Sequence, residues 1–474
     1  MPAPPPLTDG SIPRAIARLA LPIVASNLLQ IMYQLTDLFW VGRLDAAAVA
    51  SVSLVFPINF LMIALGGGLP IAGSVLIAQA RGRGDLRSMR HIAGQTCLLT
   101  LIVAATLASV GFRFSESLMR FMGASPEVLP GATRFLEMTF LAFVFVFAFF
   151  AFQTLMRGLG VVVAPMLIVL ATVLLNFVLD PLLIFGGGPI PAMGVAGAAL
   201  ATLCTQALAA AVGIGLLASG RFGVRVRWRN LRPDPALMRT MLRVGLPASL
   251  EQSTRAIGMG VMTLLVSGFG TVAIAAYGLG MRVLAVVIVP ALGISLATST
   301  LVAQNIGAGR VDRAAATSRA AGAIAFASLS AAGAVLFLFA ATVAAFVLPR
   351  GGEAIPQSAT MIRILSLSFG FIGIQQVAAG TLRGAGDTFA AMLLAMIALW
   401  GLQFPLAYAL SRHSPLGATG IWWALASANV VSAVIAMGWL RRGTWKSRRL
   451  LTDVDRGAVV RDELAAEEGA GTIA

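Results

Sequence analysis

Charge is what this sequence has least of. Only 11% of its 474 residues are Asp, Glu, Lys or Arg, where a soluble globular chain carries about a quarter. A soluble molecule of this size needs a charged surface, and this chain cannot build one. Lysine is nearly absent, and there are two cysteines and two histidines. Cys97 and Cys204 both lie inside apolar runs, which excludes a disulfide framework and a cysteine metal site; they read as small buried hydrophobes. His91 and His413 fall at opposite membrane sides, so they cannot share one interfacial catalytic cluster, and no enzymatic activity is expected. No G-x-x-x-x-G-K-[ST] run is present for ATP. The Pro-rich stretch Met1 to Gly10 lacks the basic region, short apolar core and cleavage site of a signal peptide, so the first apolar run is expected to be retained.

What is abundant is apolar surface, at 58% hydrophobic residues and a mean hydropathy of +0.90. Twelve segments, near 16–41, 50–79, 91–112, 131–156, 162–185, 193–219, 239–266, 275–303, 319–348, 357–382, 389–410 and 416–440, are each long enough to cross about 30 Å of hydrocarbon. The expected fold is an all-α polytopic membrane protein in a lipid bilayer.

The net charge of +15 does not point to nucleic acid. The basic residues sit in short clusters between apolar runs, twenty-five on one side of the membrane and six on the other. The richer side includes Arg81, Arg83, Arg87 and Arg90 and the run Arg221 to Arg232; the poorer side has Arg43, Arg113, Arg120, Arg134, Arg350 and Arg412. Such a bias places an even number of helices with both termini in the cytoplasm of a bacterial inner membrane.

The chain also repeats itself, at one offset close to half its length. Leu21-Pro22 matches Leu246-Pro247, Val75 to Ala80 with Gly82 and Gly84 matches Leu301 to Asn305 with Gly307 and Gly309, and Gln153 to Gly158 matches Ala379 to Gly384. The twelve helices therefore read as two pseudo-symmetric six-helix bundles: an N-terminal lobe at 1–220, a cytoplasmic linker at 221–238, a C-terminal lobe at 239–441 and a polar cytoplasmic tail at 442–474. Two parallel repeats facing each other enclose a cleft, and rocking one against the other exposes it alternately to each side.

Carboxylates inside spanning helices are costly and face protein or water. Asp37 lies deep in the first helix on a stripe with Asn27, Gln30 and Gln34, a face expected to look into the bundle. In the fifth helix Asn176 and Asp180 share a face, and Pro181 leaves the carbonyl of Phe177 without its usual N–H partner. Were Asp37 and Asp180 to approach, they could share a proton or coordinate Na⁺, with no other metal or cofactor expected. Thr202 and Tyr33 are secondary candidates beside them. The repeat puts no acid opposite either aspartate, so ion coupling is expected in the first half alone. In the second half Glu251 either pairs with Arg255, four residues on, or lines the cleft as a ligand. Asp387 reads as a helix N-cap.

Leu21-Pro22, Asp37 with Val41-Gly42-Arg43-Leu44, Ala78-Gln79 with Gly82 and Gly84, Gln153 to Gly158, Asn176 through Asp180-Pro181-Leu182, and Arg383 to Thr388 together resemble the multidrug and toxic compound extrusion (MATE) family over residues 14–441. The resemblance implies an antiporter that expels small organic cations and amphipathic compounds in exchange for inward H⁺ or Na⁺, H⁺ being favoured, by alternating access as a functional monomer. It implies a first-lobe cation site at Asp37, Asn176 and Asp180, with further acids at Glu251 and Asp387. A lipid-linked precursor flippase of the same superfamily is the competing reading. It would call for Arg255, Arg282 and Arg363 to line the cleft.

Overall fold

The computed structural model describes residues 7–187, 189, 191–349, 351–447 and 450. Most of the expected polar tail, with Arg350, Arg448 and Arg449, lies outside the described residues. The first half of the chain folds as α1 (Ile12–Val41), α2 (Ala46–Arg83), α3 (Leu86–Arg113), a short α4 (Ser115–Phe121), α5 (Leu129–Gly158), α6 (Val163–Ile184) and α7 (Val195–Ser219). The second half has α8 (Pro235–Ser267), α9 (Thr271–Gly307), α10 (Val311–Leu338), α11 (Ala340–Val347), α12 (Ala354–Ser366), α13 (Phe369–Ala385), α14 (Thr388–Met396), a π-helical stretch at Ile397–Gln403, α15 (Phe404–Arg412) and α16 (Ala418–Arg442).

Each of the twelve apolar segments coincides with helix, because backbone N–H and C=O groups in hydrocarbon must be satisfied within the segment itself. Among the described residues ten helices are long and apolar enough to cross a membrane, and eleven if α12 and α13, bent by 51°, form one span. The difference from twelve is α8. It is 33 residues long, but Glu251, Gln252 and Arg255 interrupt its apolar run. Cys97 is half-buried as expected of a small hydrophobe, whereas Cys204 is exposed.

Helix ends follow local chemistry. Asp45, Asp85, Asp234 and Asp387 cap α2, α3, α8 and α14 by accepting N–H groups of the first turn, which would otherwise lack partners. The segment between α7 and α8 is pinned to α3: Gln95 donates to the carbonyls of Asn230 (2.9 Å) and Arg232 (2.6 Å), and His91 meets Asp234 at 2.9 Å. Partial burial opposes ionisation of Asp234, but His91 and the N–H groups of Leu237 and Ala236 outweigh it and hold the carboxyl below its ordinary range.

The two halves meet where α1 and α2 pack against α8 and α9, and the seam is built from glycine. A Cβ at Gly82 would collide with the carbonyl oxygen of Gln304, and one at Gly307 with the carbonyl oxygen of Gln79. The same glutamines reach across. Gln79 Nε2 donates to the Gly384 carbonyl (3.4 Å) and Gln304 Nε2 to the Gly158 carbonyl (2.8 Å). Each of these contacts has its counterpart at the repeat offset, so the residues that recur in sequence are the ones that interlock between halves. Leu7 N also donates to Gln304 Oε1 at 2.9 Å, and Asp9 pairs with Arg310. The chain's start is thereby strapped over the same end. Close backbone approach of this kind is the use of small residues in membrane helix packing.

Candidate ion-binding site

Asp37 sits one turn before the end of α1 and faces α6 and α7. Asp180 and Asn176 stand beside its carboxyl group, and Thr202 Oγ1 donates to Asp37 Oδ2 at 3.5 Å. Asn176 Nδ2 donates to Asp180 Oδ1 at 3.0 Å. Both α6 residues are wholly buried, at 0% exposure, while Asp37 is only partly covered. The approach of Asp37 to Asp180 follows from geometry: an i, i+4 pair on α6 turns one face to α1, and α1 packs directly on α6.

The balance of donors and acceptors defines the chemistry. Asp37 Oδ1, Asn176 Oδ1 and Asp180 Oδ2 are all buried without a hydrogen-bond partner. Buried polar atoms are normally satisfied, and two carboxylates this close and this dry repel unless a positive charge lies between them. A proton or a small cation among these oxygens would satisfy them, and the cluster can accept either. Trp40, one turn on from Asp37, packs edge-on against Phe177 and Phe185 (5.8 and 6.2 Å between ring centres). Arg43 lies over the rings of Phe39 and Trp40. Aromatic cover on that side keeps the acids in a low-dielectric setting.

The other sequence candidates divide. Tyr33 is buried but meets Thr205 Oγ1 at 2.7 Å, a residue that sequence reasoning did not single out. Gln34 and Gln30 are exposed and Asn27 is half-buried. The polar stripe is thus largely open at Gln30 and Gln34 and closes against α6 and α7 at Asp37. Glu251 is 1% exposed and held by two arginines: Arg383 forks onto it through Nη2 at 2.5 Å and Nε at 3.2 Å, and Arg255 Nη2 lies at 3.3 Å. Arg255 is the partner that helical spacing foretells, while Arg383 arrives from α13. Asp387 is buried and accepts from Ala390 N at 3.4 Å. Glu137 is half-buried on α5.

Glu251→Gln should remove the charge that both arginines share. Breaking a buried pair costs about 3–5 kcal/mol, so the detergent-solubilised variant is expected to melt several degrees below wild type in a thermal unfolding assay. An unchanged melting point would mean that the ion triad contributes nothing net.

The MatE family model matches this chain twice, over residues 22–182 and 247–409. The two matches repeat the offset seen within the sequence and together cover well over half of it. The chain belongs to the MatE family. It is 30% identical over 448 residues to a probable multidrug resistance protein NorM of Rhizobium meliloti, covering 91% of this chain and 94% of that one. It is 28% identical over 445 residues to the probable multidrug resistance protein YoeA of Bacillus subtilis, covering 93% and 96%. Among solved structures, a MATE protein in the bent conformation superposes with a TM-score of 0.87 at 27% identity, over 93% of this chain and 97% of that one. An outward-facing multidrug resistance MATE family transporter of the MOP superfamily gives 0.86 at 27%, over 93% and 98%.

As a MatE member the chain is a multi-pass protein of the inner membrane. The acids the family resemblance assigns to the first lobe converge on one site in this structure. Those it assigns to the second half, Glu251 and Asp387, are spent on an ion triad and a helix cap.

Proposed function

We propose that this chain is a cation-coupled antiporter that exports organic cations and amphipathic compounds, with Asp37, Asn176 and Asp180 as the coupling site. The observation that carries the reading is the set of three buried acceptor oxygens with no donor. An H⁺ shared by the two carboxylates joins Asp37 Oδ1 to Asp180 Oδ2 with little rearrangement and leaves Asn176 Oδ1 as a further acceptor; we take H⁺ ahead of Na⁺ as the coupling ion. Substrate cations would compete for the same negative charge through the side on which Asp37 is partly open. Binding of one would then expel the other.

On this reading α8 crosses the membrane despite its charges, because Glu251 is neutralised in place. The helices then make twelve crossings in two lobes, 1–220 and 239–441, joined by 221–238. Basic residues crowd the end at which α1 begins and α16 finishes, which supports a cytoplasmic position for that end. The glycine seam closes the same end, so the cleft opens outward. The protein works as a monomer, without enzymatic chemistry. A flippase would need arginines free to meet anionic headgroups; of the three that reading calls for, Arg255 is engaged by Glu251, while Arg282 and Arg363 are exposed.

The test is ethidium efflux from reconstituted vesicles with an H⁺ or a Na⁺ gradient imposed separately. Efflux driven by the H⁺ gradient alone is the expected result. Efflux indifferent to both gradients would remove coupled export from consideration.

A further inference from the structure

We propose that the first half of the chain binds a small monovalent anion, of the size and charge of chloride, on Arg157 between α1, α5 and α6. In the second half, Arg383 near the end of α13 pairs with Glu251 of α8. At the repeat offset, Arg157 near the end of α5 stands where Arg383 stands, and Ser26 of α1 stands where Glu251 stands. The carboxylate has been replaced by a hydroxyl. That hydroxyl already donates to the Pro22 carbonyl at 2.9 Å, so it supplies no countercharge.

Arg157 and Ser26 line one recess, together with Asn27, Gln153, Val162 and Pro165. It contains no acid. Arg157 makes no ion pair or hydrogen bond among the described residues, and neither do Asn27 and Gln153, although Gln153 is only 8% exposed. The recess also receives the first turn of α6, which starts at Val163 with no side-chain cap. The positive end of a helix dipole therefore borders the same recess as Arg157. Guanidinium, two amide groups and a helix start all offer N–H donors, and a cation in a membrane bundle needs an opposite charge beside it.

Size selects the occupant. The recess is narrow, with room for about one particle of the size of a water molecule. An organic substrate does not fit, and a water molecule would satisfy donors without offsetting the charge. A single halide does both. This assignment stands apart from the export reading, since it rests on a different cluster, at the middle of α1.

The full-length protein in detergent should melt about 3 °C or more higher in chloride than in gluconate at equal ionic strength, as expected of a ligand bound only to the folded state. Arg157→Gln should abolish that difference. Ser26→Glu, which installs the carboxylate of the second half, should abolish it too and melt in gluconate near the wild-type value in chloride. Crystals soaked in bromide should show an anomalous peak beside Arg157 that both variants lose. Equal melting of wild type in the two anions, a difference that persists in Arg157→Gln, or no bromide at Arg157 would each overturn the assignment. The soak on wild type decides the matter even where a variant does not fold.

Discussion

Asp37→Asn is expected to abolish gradient-driven ethidium efflux while leaving ethidium binding largely intact. Asparagine keeps the size of the side chain and its place beside Thr202 and Asn176, but it removes the charge that makes the site deficient in a cation. A coupling free energy of about 1–3 kcal/mol corresponds to a change in affinity of roughly 5–150-fold; with that link removed, imposing the gradient should no longer raise efflux above the rate of vesicles without it. Asp180→Asn should behave alike, because either substitution leaves a lone carboxylate that no longer has to choose between repulsion and a bound cation. Thr202→Val deletes one long hydrogen bond and should cost about 1 kcal/mol or less, well short of the loss seen for the acids. Ethidium binding, read by fluorescence anisotropy, separates loss of coupling from loss of the fold. Full efflux by Asp37→Asn would discard this residue as the coupling group.

The second large effect is expected at the glycine seam. Gly82→Ala and Gly307→Ala each place a methyl group into a carbonyl oxygen of the opposite half, and overpacking of this kind costs about 1–3 kcal/mol. That cost falls only on the state in which the seam is closed, so the population shifts toward the opened seam by roughly 5–150-fold. Spin labels at Gly123 and Ser414, on the far end of the two halves, should then report a shorter separation than in wild type, with Cys97 and Cys204 first replaced. Gln304→Leu should act in the same direction, since it strips the donor from Gly158 and the acceptor from Leu7 N. An unchanged distance distribution in all three variants would show that the seam does not set the conformation.

Much of the architecture was legible because hydrocarbon leaves a chain few choices. Uninterrupted apolar runs of adequate length have to be helices, and every one of the twelve segments coincides with helix. Harder to see was where the rods break. The bend between α12 and α13, the break between α10 and α11 and the π-helical stretch at Ile397–Gln403 interrupt runs that look continuous in composition, so periodicity alone carries no sign of them. At the site, Asp37, Asn176 and Asp180 stood out by their cost in lipid. Thr205 and Arg383 did not: a threonine in a helix usually bonds its own backbone, and an arginine near a helix end looks like part of the basic border. The signal for Arg383 was nevertheless present. Aligning the two halves residue by residue sets Glu251 against Ser26 and Arg383 against Arg157, and that mismatch of charge is what the structure resolves. The interlock of Gln79 and Gln304 was likewise visible as a recurrence, but recurrence does not reveal that the two copies touch.

The arginine fork around Glu251 also bears on how membrane voltage acts. Two guanidinium groups locked onto one carboxylate form a fixed positive unit in α8 and α13, which neither gains nor loses charge through a cycle. With coupling at the acid pair as proposed, exchange of one proton for one monovalent organic cation would move no net charge across the bilayer. Turnover on that stoichiometry draws on the pH difference and is indifferent to the electrical potential.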